Sequence, residues 1–247
     1  MPLYQDEGVV LRTAKLGEAD RILTLLTRDH GKVRAVAKGV RRTKSRFGGR
    51  LEPFMRVALL IAEGRSLDVV SQAESIAAYA GPICADFQAY TAANVICETA
   101  DKLVATEKEP AVAQYRLVLG ALNALAKHAH EPSTIGDSYV LRALAIAGWT
   151  PRLRVCVVLR RADFVHAVLV FSIPAGGLIV RRRPYPESEA VSLGCDLAGF
   201  RRLVDGDLGG AGRCSGGRSI QRETHQIVEE WGEYYLERPI RSMRLLD

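Results

Sequence analysis

The first third of the chain limits the fold more than any other stretch. Five short runs of strand character lie between residues 3 and 76, each bounded by turn residues. Val9 to Ala14 is the first and Ile22 to Thr27 the second. Asp29-His30-Gly31 turns the chain into a third, Lys32 to Lys38. There Lys32, Arg34, Val36 and Lys38 point one way and Val33, Ala35 and Ala37 the other, the period of a half-buried strand. The fourth runs from Phe54 to Ala62, and Glu63-Gly64-Arg65-Ser66 makes a hairpin into the fifth, Leu67 to Ala73. Five strands in so short a span, with one long connection between the third and fourth, predict a small closed barrel of the OB type. An SH3-like barrel fits the same pattern.

That long connection is chemically distinctive. Lys38, Arg41, Arg42, Lys44, Arg46 and Arg50 place six cations in thirteen residues with no acid among them. Gly39 and Gly48-Gly49 punctuate the stretch, which predicts a mobile loop in place of a helix face. A basic loop held between two strands is suited to tracking a phosphate backbone, since it offers many cations without fixing a base register. The plain alternative is a solvated charged loop, although ordinary surfaces mix signs. The formal charge of +6 is unevenly spread. Residues 1–80 hold 14 Lys/Arg against 9 Asp/Glu, residues 81–150 hold 5 against 7, and residues 151–247 hold 15 against 12. An anionic partner, nucleic acid first among the candidates, is therefore expected at the N-terminal third.

At 247 residues the chain suits one large or two modest domains, and its 48% hydrophobic and 25% charged content is that of a globular protein. No apolar run approaches the roughly 18 residues of a membrane span, and the first ten residues carry acids where a signal peptide carries cations. A cytoplasmic protein is expected. Five cysteines, at 84, 97, 156, 195 and 214, form no CxxC pair and read as free thiols.

From Gly81-Pro82 the period changes to that of helices. Phe87, Tyr90, Cys97 and Val104 share one side of a predicted helix that reaches about Thr106. Pro110 opens a second, with Val112, Tyr115, Leu119, Leu122 and Ala126 as its stripe. Ser133 or Thr134 caps a third, with Ile135, Tyr139, Ala143 and Ile146 inward and Gly148 at its end. Cys84 and Cys97 read as small core residues. Residues 149–195 are irregular, broken by Pro151, Pro174, Pro184 and Pro186. Two helices finish the chain. Asp196 caps one, with Leu197, Phe200, Leu203 and Val204 inward; the other runs from about Ser219 to Glu237 with Ile220, Ile227, Trp231 and Tyr234 as its stripe. The division expected is a barrel domain over 1–80 and a helical domain over 81–247.

Three groups of residues resemble the RecO family of bacterial recombination mediators. The first is Ala37-Lys38-Gly39-Val40-Arg41-Arg42-x-Lys44-Ser45-Arg46, followed by Gly49, Leu51 and Pro53-Phe54. The second is Gly148-Trp149-x-Pro151-x-Leu153-x-x-Cys156, with Phe171 and Gly176-Gly177 downstream. The third is Tyr235-Leu236-Glu237-Arg238 with Arg241-Ser242. The resemblance runs nearly end to end. It implies an α+β chain: an N-terminal OB-fold β-barrel followed by a mostly helical C-terminal domain. It also implies a role in DNA repair and recombination after DNA damage, with binding of single- and double-stranded DNA and strand annealing. Partnership with RecR and single-stranded DNA-binding protein in loading RecA comes with it. The expected DNA-binding residues are Lys38, Arg41, Arg42, Lys44, Arg46 and Arg50, assisted by Arg34. Arg181, Arg182 and Arg183, taken with Arg160 and Arg161, form a second candidate DNA contact or a merely solubilising cluster.

One departure from the family pattern concerns metal. Many members carry four cysteines as two CxxC pairs in the C-terminal domain. Here Cys156 keeps the first position, Leu159 holds its partner's, and the second pair falls on Val180 and Arg183. One thiolate cannot close a tetrahedral structural site, so a degenerate zinc-finger-like insert without metal is expected over 149–195. Cys195, Cys214 and His166 match no ordinary zinc spacing with Cys156.

No catalytic motif and no cofactor signature is present: there is no GxxxxGK[ST], and Gly209-Gly210-Ala211-Gly212 lacks the GxGxxG spacing. Cys214 and His225 lack an orienting third group. Two readings from different classes stand: a DNA-binding recombination mediator, and a non-enzymatic interaction adaptor whose basic loop is incidental.

Overall fold

A computed structural model describes residues 2–160, 169–180, 191–192, 197–209 and 217–246. They resolve into two compact units, Met1–Ala129 and His130–Asp247.

The first unit is built on five strands: β1 (Leu3–Leu16), β2 (Asp20–Thr27), β3 (Gly31–Ala37), β4 (Met55–Ala62) and β5 (Asp68–Ala78). They close a barrel in the order β1-β2-β3-β5-β4. The β3–β5 pair is parallel, Ala35 opposite Asp68 and Val36 opposite Val69. That crossover is the OB arrangement, and a simple meander of the SH3-like kind does not contain it. β1 is long because it serves two neighbours. Its first half pairs with β4 and its second with β2, with a bulge between Val10 and Arg12 that bends it around the corner. Gly8 sits where both pairings overlap. A Cβ there would come within 2.9 Å of the Thr27 side chain and 3.2 Å of the Leu26 carbonyl, so any larger residue would make the corner shift.

Helices α1 (Ala80–Cys84), α2 (Phe87–Leu103) and α3 (Val112–Ala126) complete this unit. Asp86 caps α2 by accepting the Gln88 N–H at 2.8 Å and the Ala89 N–H at 3.4 Å. Asp101 near its end takes Arg12 at 2.7 Å and Lys32 at 2.9 Å, one cation from each of two strands. Burial alone would raise the Asp101 carboxyl; the two cations outweigh it and hold the group below the usual carboxylate range. The Lys108 N–H donates to the Lys32 carbonyl at 2.9 Å, laying the α2–α3 connection against the β2–β3 turn. Gly31 in that turn has φ +61°, and any side chain there would run into the Glu109 carbonyl.

Several predicted faces differ from the observed ones. α2 buries Ala89, Ala92, Ala93, Ile96, Cys97 and Ala100, while Phe87 and Tyr90 are exposed. The small side chains win because they let the helix lie close to its neighbours. α3 buries Tyr115, Val118, Leu122 and Leu125, leaving Val112 outside. Cys97 is a core residue whose thiol burial pushes upward in pKa, but Cys84 is exposed.

The second unit holds α4 (Pro132–Ile146), a sheet ordered β7-β6-β8, α5 (Leu197–Asp205), α6 (Gly217–Leu236) and a closing 3-10 turn, Met243–Leu245. The strands are β6 (Leu169–Ser172), β7 (Gly177–Val180) and β8 (Val191–Ser192). α4 starts two residues earlier than a Ser133 cap requires and three earlier than a Thr134 cap does. Pro132 takes the first turn behind Glu131, with no side-chain cap, because its fixed φ already suits the helix. Ile146 at its end and Tyr234 in α6 are exposed. The aromatic core joins Phe171 to Phe200 at 5.6 Å and to Trp231 at 5.3 Å. Trp149 stacks on Tyr235 at 5.5 Å, so the Gly148-Trp149-x-Pro151 segment and the Tyr235-Leu236 segment meet in space. Asp196, the cap expected for α5, lies outside the described residues.

Over 149–195 no zinc-finger-like insert is seen among the described residues. Its described part is a sheet on a small apolar cluster of Cys156, Val170 and Ile179, with Ala175 and Val180 packed against it. Cys156 and Val180, positions aligned above with metal ligands, thus meet as hydrophobes, and Leu159 is exposed. Among the described residues no three His, Cys, Asp or Glu side chains gather as a metal site. Arg161, His166, Arg181, Arg182, Arg183, Cys195 and Cys214 lie outside the described residues.

Candidate nucleic-acid interface

The β3–β4 connection, residues 38–54, is not a free excursion. Val40, Phe47 and Leu51 drop into the barrel's own hydrophobic core, beside Val33, Leu25 and Val57. Between these pegs the backbone is a chain of tight turns. Arg42 N–H donates to Gly39 O, Ser45 to Arg42, Gly48 to Ser45, Arg50 to Phe47 and Glu52 to Gly49, at 2.9 to 3.3 Å. Asp20 receives the Gly39 N–H at 2.7 Å, and the Arg41 N–H reaches the Ala19 carbonyl at 2.9 Å. The loop is therefore sewn both to the core and to the β1–β2 turn. The expectation of a mobile loop is corrected here: apolar residues spaced through it anchor the stretch that its glycines seemed to free.

Pegging the apolar residues inward turns the cations outward. Lys38, Arg41, Arg42, Lys44, Arg46 and Arg50 are all exposed, and among the described residues none forms an ion pair. Three of them, Arg41, Arg46 and Arg50, are positioned by contacts that do not neutralise them. Arg41 donates to the Gly17 carbonyl at 3.2 Å and Arg50 to the Arg46 carbonyl at 3.0 Å. The Arg46 guanidinium lies 4.8 Å from the centre of the buried Phe47 ring.

Cations elsewhere on the barrel behave differently. Arg12 and Lys32 are held by Asp101, Arg21 by Glu52 at 2.7 Å, and Arg28 and Arg56 by Glu7 at 3.3 and 3.0 Å. Arg34 belongs with this second group. It faces Glu107 at 3.8 Å and is set apart from the loop's six. Lys15, which the sequence reading passed over, is exposed and unpaired among the described residues. It stands opposite Arg21 at the β1–β2 turn that Arg41 touches. No local signal marks it, because only barrel closure brings that turn to the loop.

Unneutralised cations on a rigid mount favour polyanions. Each contact with a phosphate releases a condensed counterion, and the ordering cost is already met by the fold. No helix among the described residues is long and apolar enough to cross a membrane.

Comparisons with known proteins agree in both halves. A family model described as Recombination protein O N terminal matches residues 1–79, and one described as Recombination protein O C terminal matches residues 84–244. The chain is 84% identical over 247 residues to the DNA repair protein RecO of Bifidobacterium adolescentis, covering all of both chains. It is 60% identical to the protein of that name in a Bifidobacterium longum strain, again over the whole of both. With that of a Nocardioides species the figure is 44% over 252 aligned residues and 99% of each chain.

Proposed function

Because the chain belongs to the RecO family of DNA repair proteins, we propose that it is a recombination mediator that binds single- and double-stranded DNA through the β3–β4 loop. In this reading it anneals complementary strands and works with RecR and single-stranded DNA-binding protein in loading RecA. Residues 1–80 carry the DNA-binding domain and residues 81–247 the helical domain. The observation that carries the reading is the loop itself: six exposed cations without carboxylate partners, on a scaffold whose other cations are mostly paired.

Annealing asks for no bond chemistry. Two strands repel each other, and a protein that screens both lets complementary bases meet. One loop spans few phosphates, so the second strand needs another cationic contact. Arg181, Arg182 and Arg183 are proposed for it on sequence alone.

Binding to single- and double-stranded oligonucleotides of arbitrary sequence, titrated with salt, tests the reading. A phosphate-tracking protein loses affinity on a log-log slope of about 0.9 per contacted phosphate on duplex and about 0.7 on single strands. Absence of salt-sensitive binding to either form would instead support the adaptor reading.

A further inference from the structure

Phe87 and Tyr90 stand on the first turn of α2 and take no part in its buried face. They are 73% and 44% exposed. The mount beneath them is rigid. Asp86 caps the helix, and Ala89, Ala92 and Ala93 on the opposite side are fully buried. Phe87 and Tyr90, three residues apart and so neighbours on one helical turn, together leave an apolar patch open to a partner.

Its position says which partner. The Tyr90 ring meets Phe54 edge-on, centroids 5.8 Å apart at 82°. Phe54 is the last residue of the basic loop. Its ring is buried, its N–H is held by the Val10 carbonyl at 2.9 Å, and its backbone takes φ 70°. Arg50 is four residues away along the chain, which limits their Cα separation to about 14 Å. The nearby acids are occupied: Glu52 holds Arg21 and Asp86 caps the helix. An exposed aromatic pair thus sits where a row of unneutralised cations ends. Cations with adjacent aromatic rings are what single-stranded nucleic acid uses, the phosphates tracking the charge and the bases stacking on the rings. In a duplex the bases are stacked on one another, and such a ring has nothing to hold.

We infer that Phe87, supported by Tyr90, is a base-stacking platform for single-stranded nucleic acid whose phosphates follow the β3–β4 loop; this rests on the reading of that loop as the DNA track. The platform gives the protein a preference for unpaired strands that the loop alone does not supply.

The test uses the full chain with Phe87→Ala, Phe87→Leu and Phe87→Trp, and a labelled oligothymidine beside a duplex of equal length at one salt concentration. Phe87→Ala should lose roughly ten-fold in single-strand affinity, within the range measured for one base on one ring. Duplex binding should stay within about two-fold and the single-strand salt slope should not change, because no phosphate contact is removed. Phe87→Leu, apolar but not aromatic, should lose as much, and Phe87→Trp should retain binding. Circular dichroism checks that each variant is folded. Unchanged single-strand affinity in Phe87→Ala overturns the inference, as do equal losses on both DNA forms, full retention by Phe87→Leu, or loss by Phe87→Trp. A shift in oligomeric state on gel filtration also overturns it, assigning the patch to a second copy of the chain. Wild-type protein that binds neither DNA form removes the loop reading itself. Binding that the loop's cations carry and Phe87 does not affect removes only the platform.

Discussion

Single residues in the loop divide into those that hold it and those that face outward, and each class has its own readout. Phe47 is buried in the barrel core with Arg46 over its face. Phe47→Ala should cost about 3–5 kcal/mol of unfolding free energy, the usual range for a buried ring. Urea denaturation measures it, and a loss under about 1 kcal/mol would mean the loop is not pegged there. Among the cations, Arg42 has no carboxylate partner in the described residues, whereas Arg34 faces Glu107. Arg42→Ala should lower the duplex salt slope by about 0.9, and Arg34→Ala by clearly less. A larger drop for Arg34 would move the site toward β3. The cations were legible in the sequence because a run of six without an acid is conspicuous in any order. The pegs were not. Val40, Phe47 and Leu51 have neither strand nor helix spacing, and only the barrel gives them a common interior.

At the level of elements, strand existence and order of appearance were readable from alternation and turn residues, while barrel closure was not. Nothing local in Ala35-Val36 announces a parallel partner at Asp68-Val69, since that pairing joins residues more than thirty apart. Helix faces were misread where small residues do the packing: a stripe of alanines in α2 outcompetes Phe87 and Tyr90 for the interior. The same helix is tied to the barrel by Asp101, and its contribution should depend on pH. Both Asp101 and Asp68 sit below the usual carboxylate range. For Asp68 burial works the other way, but the Gly64 N–H, the Tyr4 hydroxyl and the Lys108 ammonium outweigh it. A depressed folded-state pKa contributes stability above the unfolded value, near 3.9, and loses it as pH falls through the folded value. Unfolding free energy should therefore be level near neutrality and fall below about pH 4. Asp101→Asn should cost about 1–3 kcal/mol at pH 7 and flatten part of that acid limb. An unchanged acid limb would show that Asp101 is not a linkage point between helix and strands.

For the whole molecule, the family resemblance was legible from motifs spread along the chain, and the structure adds why some of them are there. Trp149 and Tyr235 come from separate motifs and stack on each other, a packing role the sequence could not assign. Where the family's metal pattern lapses, Cys156 and Val180 join one apolar cluster. Elemental analysis of purified protein should accordingly find no stoichiometric zinc, and one zinc per chain would contradict this. Replacing Arg181, Arg182 and Arg183 with alanine should lower single-strand affinity modestly and the annealing rate much more; an unchanged rate would leave both strands to the barrel. The central claim is that the β3–β4 loop is the phosphate track. Its most direct test is the slope of log affinity against log salt for full-length protein and for the Arg41→Ala, Arg42→Ala, Lys44→Ala triple variant. All three side chains are exposed and none is in the core, so the variant should fold. The account predicts weaker binding to every sequence, with the slope reduced by about two on single strands and just under three on duplex. A folded triple variant with unchanged affinity and unchanged slope would contradict it and place the DNA site elsewhere.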